Sequence, residues 1–261
     1  MSFQYFKNAD RNDRHSLKIT PAKSRLKKIS FRHEILLRGK SIFLELKSQE
    51  GLVTLLQGKV EVLFKRKKYI LGPRSNVFSG PSHSFYCGEN ATVRLKALLK
   101  SELIISCAPR RQTHPSFHIP PQKVRKRRVG TGTYSRNVHD ILREDIPGDR
   151  LLAGETFNKP GKWSSFPPHK HDKNRLPYES KLEELYFFKV NPENKFGIIR
   201  LYGMHKGKAY DEAVVIHNND CIIIPFGYHP VCAAPDTEIY YYWVLAGEKR
   251  KLRCSEDTNY L

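Results

Sequence analysis

Apolar residues recur along this chain in short runs broken by Gly, Pro, Asn and Asp, and the 3.6-residue spacing of an amphipathic helix is nearly absent. Runs such as "SIFLELK", "GLVTLLQGKVEVLF", "TVRLKALL" and "ELIISCAP" in the first half read as β-strands. In the second half "RLLAGETFN", "LEELYFFKVN", "FGIIRLYG", "CIIIPFGY" and "EIYYYWVLAG" repeat the theme with more apolar strands. The pattern argues for an all-β barrel or sandwich, most economically two successive barrels, residues 1–129 and 130–261, with the boundary near Gly130. "QGK" and "KRKK" mark tight connections, and the Pro-rich, charged stretch "RRQTHPSFHIPPQKVRKRR" reads as a linker leaving the first barrel.

Composition supports a packed protein. With 261 residues, 39% of them hydrophobic, the chain can fill one large or two medium cores. The five cysteines are scattered and never form C-x-x-C, so they read as reduced structural thiols. No stretch approaches the roughly 20 apolar residues of a membrane span, and the N-terminus lacks a signal-like apolar segment. A soluble cytoplasmic protein is expected.

The net charge of +20 is unevenly placed: residues 1–150 carry 31 Lys and Arg against 12 Asp and Glu, whereas residues 151–261 carry 15 against 14. Lys65 to Lys68 and Lys123 to Arg128 are its densest runs. Such runs can bind phosphate. No helix-turn-helix, zinc-finger or RNP-like pattern accompanies them, so an exposed turn and a linker are the expected roles, with neither nucleic acid nor membrane as a partner.

The second half holds the candidate chemistry. In "WSSFPPHKHD", His169 and His171 project to one face if the segment is extended, and the preceding Pro-Pro favours extension. A lone His-x-His among eleven histidines is weak, so further ligands are needed from other strands. "LEELYFFKV" offers Glu183 and Glu184 on opposite faces, and parity alone does not choose between them. His229 lies in "PFGYHP", where a Gly-containing turn after "CIII" can lift it inward. Three imidazoles and one carboxylate suit Zn, Mn, Fe, Co or Ni.

The order His-x-His, Glu, then Pro-x-Gly-x-His in a β-rich domain resembles a cupin. More narrowly, "GETFNKPGKWSSFPPHKHD", "LEELYFFKV", "PFGYHPV" and "YYYWVLAGE" resemble the bicupin uronate isomerases, which include the 5-deoxy-glucuronate isomerase of inositol catabolism and the 4-deoxy-5-keto-uronate isomerase of pectin breakdown. "EGLVTLLQGKVEV", "LGPRSNVF" and "RNVHDIL" extend the resemblance over nearly the whole chain from about His15. Two features depart from the general cupin pattern: the loop "DKNRLPYESKLE" before the Glu, typical of the inositol branch, and Asn219-Asp220 where a Gly usually leads the second motif.

The resemblance implies a bicupin whose C-terminal barrel binds one divalent metal, Zn or Mn, through His169, His171, Glu184 and His229. Glu184 is preferred because the family's ligand directly precedes the Tyr-Phe strand. The first barrel is then expected to be metal-free. The implied reaction is aldose–ketose isomerisation of 5-deoxy-D-glucuronate to 5-dehydro-2-deoxy-D-gluconate, in a homo-oligomer whose partner is a small anionic sugar acid. The sequence assigns no catalytic base. Arg200, read as lying on a strand next to the metal strand, is the candidate for the substrate carboxylate, with Tyr186 and Tyr242 for sugar hydroxyls. The alternatives are the pectin-pathway isomerase, an iron-dependent cupin dioxygenase, and a regulator that binds nucleic acid through the basic half.

Overall fold

The computed structural model describes residues 3–8 and 16–261; His15, where the resemblance begins, lies outside them. Among the described residues the only regular structure besides strands is a few short 3-10 turns, and loops make the connections. No helix among them is long and apolar enough to cross a membrane.

The first half is built around the strand Gln49–Phe64, which is long enough to serve two sheets. Near its start it pairs with Ser84–Cys87 and Ser101–Pro109, and near its end with Lys67–Arg74 and Ala91–Ala97. Between the sheets lie Leu44, Val53, Val62, Phe85, Leu95 and Ile105, the interior of the first barrel. "KRKK" is the expected hairpin turn: Lys65 and Arg66 both take positive φ, the conformation of a tight two-residue connection.

The second half centres on a seven-stranded sheet. Its order is Gln4–Phe6, Cys221–Ile224, Leu182–Asn191, Glu238–Gly247, Leu151–Asn158, Arg136–Leu142, Arg125–Val129. A four-stranded sheet, built on Gly197–His205 and Lys208–Ile216 with Val231–Ala233 and Trp163–Ser164, covers one face of it. The other face packs on the first half, so its central strands are buried on both sides. This is why "ELYFF", "CIII" and "EIYYYWVLAG" read as continuous apolar runs rather than alternating ones. Leu185, Phe187, Tyr240, Tyr242 and Val244 join Phe31, Leu52, Tyr86 and Ile104 of the first half in one core. Tyr186, Phe188 and Tyr241 join Ile199, Leu201 and Val231 in the interior of the second barrel.

Two segments cross the expected boundary. Gln4–Phe6 extends the second half's sheet beside Cys221–Ile224, and Phe3 stacks on Phe226 at 4.8 Å. "KVRKRR" is not a linker. Arg125–Val129 is the edge strand of that same sheet, antiparallel to Arg136–Leu142. Its alternation explains why charge did not prevent a strand: Arg125 and Arg127 both reach Asp140 on the neighbouring strand, at 3.1 and 2.7 Å. Charged residues are also common on exposed edges, where they discourage further pairing.

Candidate metal centre

The strand Leu182–Asn191 is hydrogen-bonded on both sides, so its register is fixed and strand alternation decides which glutamate turns which way. Glu183 faces the first half, where its carboxylate accepts the backbone N–H groups of Lys27, Lys28 and Ile29 at 2.8, 2.7 and 2.6 Å. Glu184 faces the second barrel. Of the two glutamates that parity left open, Glu184 is the one that faces the histidines.

Two imidazoles meet that carboxylate. His171 follows the short strand His169–Lys170, which is held against Ser255–Glu256. Its Nδ1 bonds the carbonyl of Leu182 at 3.1 Å, leaving Nε2 2.9 Å from Glu184 Oε2. His229 closes the turn after Cys221–Ile224, where Gly227 takes φ +83° and a Cβ would come within 2.4 Å of the Tyr202 carbonyl oxygen. Its Nδ1 bonds the carbonyl of Gly227 at 3.0 Å, and its Nε2 lies 3.3 Å from Glu184 Oε2. Ligand atoms of His171, Glu184 and His229 all lie within 4.8 Å of one another. His169 adjoins them, its ring edge-on to His229 with centroids 4.9 Å apart. Lys170 turns away from the cluster, as alternation requires, and its ammonium meets Asp172 and Glu179.

Electrostatics keeps most of the imidazole cluster neutral. Burial, together with neighbouring His171 and Arg136, pushes His169 down to about 3. Burial likewise pushes His229 down to about 3, although Glu184 opposes it. For His171 burial also disfavours charge, but the charge and hydrogen bond of Glu184 outweigh it and raise the pKa.

The donor set fits a divalent cation. Main-chain carbonyls hold Nδ1 of both His171 and His229, which directs their Nε2 atoms at the same carboxylate oxygen. Among the described residues the buried Nε2 of His229 makes no hydrogen bond and faces only the Glu184 oxygen at 3.3 Å, an arrangement that costs roughly 1–3 kcal/mol unless something fills it. A divalent metal held by His171, Glu184 and His229 would satisfy that atom.

His169, His171 and Glu184 line a cleft of about 210 Å³ together with Tyr186, Tyr241, Ser165, Arg136 and Trp243, and His229 lies buried behind them. Of the expected substrate contacts, Tyr186 is there, its hydroxyl 3.3 Å from Ser165 Oγ. Tyr242 is not: it faces the first half and meets Ser106 Oγ at 3.1 Å. Tyr241 takes its place, because cross-strand register puts Tyr241 opposite Phe188, on the Glu184 face, and Tyr242 opposite Phe187. Arg200 is also displaced. Its strand pairs with Lys208–Ile216 and Val231–Ala233, not with the glutamate strand. The Arg200 guanidinium is held by Asp211 at 2.9 and 2.6 Å, in a separate aromatic groove beside Trp163 and Phe166.

The family model described as KduI/IolB matches residues 4–261. The chain belongs to this family. It is 37% identical to the 5-deoxy-glucuronate isomerase of Geobacillus kaustophilus, covering 94% of this chain and 88% of that protein. Identity to the enzyme of the same name from Bacillus subtilis strain 168 is 31%, over 92% and 89%. The crystal structure of an IolB-like protein from Salmonella typhimurium superposes with a TM-score of 0.90 at 31% identity, covering 94% and 93% of the two chains. The oxalate decarboxylase of Lactobacillus farciminis superposes at 0.70 with 11% identity, which establishes the bicupin fold.

Proposed function

We propose that this chain is a metal-dependent isomerase that converts 5-deoxy-D-glucuronate to 5-dehydro-2-deoxy-D-gluconate, with Zn²⁺ or Mn²⁺ as the resident metal. The observation that carries the reading is the convergence of His171, Glu184 and buried His229 beside a cleft that His171 and Glu184 line, in a chain that shares its family with isomerases of that name. The reaction is redox-neutral: a proton leaves the hydroxyl-bearing carbon next to the aldehyde, and one is returned to the former aldehyde carbon.

A bound divalent cation supplies Lewis acidity toward the sugar's carbonyl and hydroxyl oxygens. The protein's own side chains do the rest. Burial and, for Tyr186, the nearby Glu184 charge keep the phenols of Tyr186 and Tyr241 protonated, so they act as hydrogen-bond donors to sugar oxygens. Apolar Trp243, Leu245, Val129 and Val138 form the remaining wall and limit water. The test is metal analysis of the purified protein combined with an NMR assay on 5-deoxy-D-glucuronate and, in parallel, 4-deoxy-5-keto-uronate. A stoichiometric divalent metal and turnover of the first uronate are expected, and His171→Ala loses both. Undiminished turnover by metal-free protein overturns the reading, and exclusive turnover of the second uronate reassigns the substrate.

A further inference from the structure

An isomerase acting on a sugar acid needs a cation for the carboxylate, and the expected one, Arg200, is neutralised by Asp211 outside the cleft. We propose that Arg136, in the lining of the metal cleft, is the carboxylate anchor; this rests on the isomerase reading above.

Arg136 opens the strand Arg136–Leu142 and lines the same cleft as His169, His171 and Glu184. Its Nη1 is tethered by the carbonyls of Phe166 and Tyr134, at 2.8 and 3.2 Å. Those bonds fix the direction of the guanidinium plane without neutralising it. Among the described residues no carboxylate pairs with Arg136, whereas Arg74, Arg111, Arg127 and Arg200 each have one. Burial disfavours its charge and lowers its pKa. A half-buried guanidinium without an acid is a costly arrangement, and it is relieved when an anionic ligand arrives. A planar fork is also the group best matched to a carboxylate, with two parallel N–H donors.

The neighbouring edge strand reinforces the field. Arg125 and Arg127 share the single carboxylate of Asp140, so the pair of strands that ends on Arg136 presents excess positive charge to the cleft. Arg127 and Val129 line the cleft beside Arg136, whereas in the adjoining groove Arg125, Arg127 and Arg143 are balanced by Asp140, Glu144 and Asp145, so the uncompensated cation is Arg136. A carboxylate at one end of the six-carbon chain thus meets Arg136 while the aldehyde end lies at the histidine cluster.

Steady-state kinetics tests this with two substrates: 5-deoxy-D-glucuronate, and the same skeleton with a primary alcohol in place of the carboxylate. Wild type prefers the acid. Arg136→Gln is expected to raise KM for the acid on the order of 10- to 100-fold, the loss of a charge-assisted pair, with kcat within about threefold. Its KM for the alcohol and its metal content stay unchanged, and Arg200→Gln leaves all parameters near wild type. Arg136→Lys, which keeps the charge without the fork, lies between. An unchanged acid preference in Arg136→Gln overturns the assignment. If that variant does not fold, an Arg136→Lys protein with wild-type KM overturns it instead. Inactive wild type sinks the isomerase reading, whereas active wild type with an indifferent Arg136 sinks only this one.

Discussion

Each arm of the metal cluster is held by a group one bond further out, and Asp172 touches both arms. Its Oδ1 takes the ammonium of Lys170, the residue between the two histidines, at 3.0 Å. Its Oδ2 takes the N–H of Gly227 at 2.8 Å, and the Gly227 carbonyl in turn holds His229 Nδ1. Partners at this remove commonly cost about 10- to 100-fold in metal affinity when lost. Asp172→Ala is therefore expected to weaken metal binding by about that factor in a competitive chelator titration, while Asp172→Asn, which keeps one acceptor oxygen, loses less. Equal affinity in all three proteins would show that the turn holds its shape unaided.

At the scale of elements, the inserted loop before the glutamate strand is organised around one acid. Glu179 is fully buried and accepts from Lys170, the backbone N–H groups of Asp172 and Lys173, Arg175 and Ser255. Burial opposes its ionisation, but those donors outweigh burial and hold its carboxyl well below the usual value of 4.5. A depressed acid contributes stability above its unfolded pKa and loses it as pH falls toward the folded one. Melting temperatures of wild type and Glu179→Gln should thus differ most near neutral pH, and the gap should narrow as pH drops below about 4.5. A gap independent of pH would mean that the loop depends on shape rather than charge.

The same elements show what could be read from the chain. The His-x-His spacing was weak alone, and what the fold adds is that His171 and His229 come together on Glu184 with His169 beside them, while the all-β class followed from short broken runs. The glutamate strand did not declare its faces, because a strand buried on both sides has no polar alternation to read. Tyr241 and Tyr242 were indistinguishable for the same reason, and only cross-strand register separates them. "KVRKRR" misled because its strand character comes from a partner strand and a shared Asp140, neither of them local to the run. Arg200 misled because adjacency in sequence to an apolar strand does not say which sheet that strand joins.

Across the whole molecule, the two halves exchange acids. Glu50 of the first half accepts the backbone N–H groups of Asp149, Arg150 and Leu151, while Glu183 of the second accepts those of Lys27, Lys28 and Ile29. Between them the buried pair Arg74–Glu155 closes at 2.8 Å, with the Tyr240 hydroxyl also donating to Glu155 at 3.0 Å. One core spans both sheets. Separating the halves would strand these charges and expose that core, so the chain should unfold as a single cooperative unit. Both tryptophans, Trp163 and Trp243, lie in the second half, so their fluorescence reports that half alone, whereas far-ultraviolet circular dichroism reports both. Urea curves from the two probes are expected to coincide in the wild type. Arg74→Met leaves Glu155 buried without its cation and should lower the common midpoint by about 3–5 kcal/mol of stability. Replacing Glu155 by Leu in the same chain should recover part of that, because the two sites are directly coupled. Probe curves that separate in the wild type would show two independently stable barrels, and strictly additive effects of the two substitutions would show that the pair does not join them.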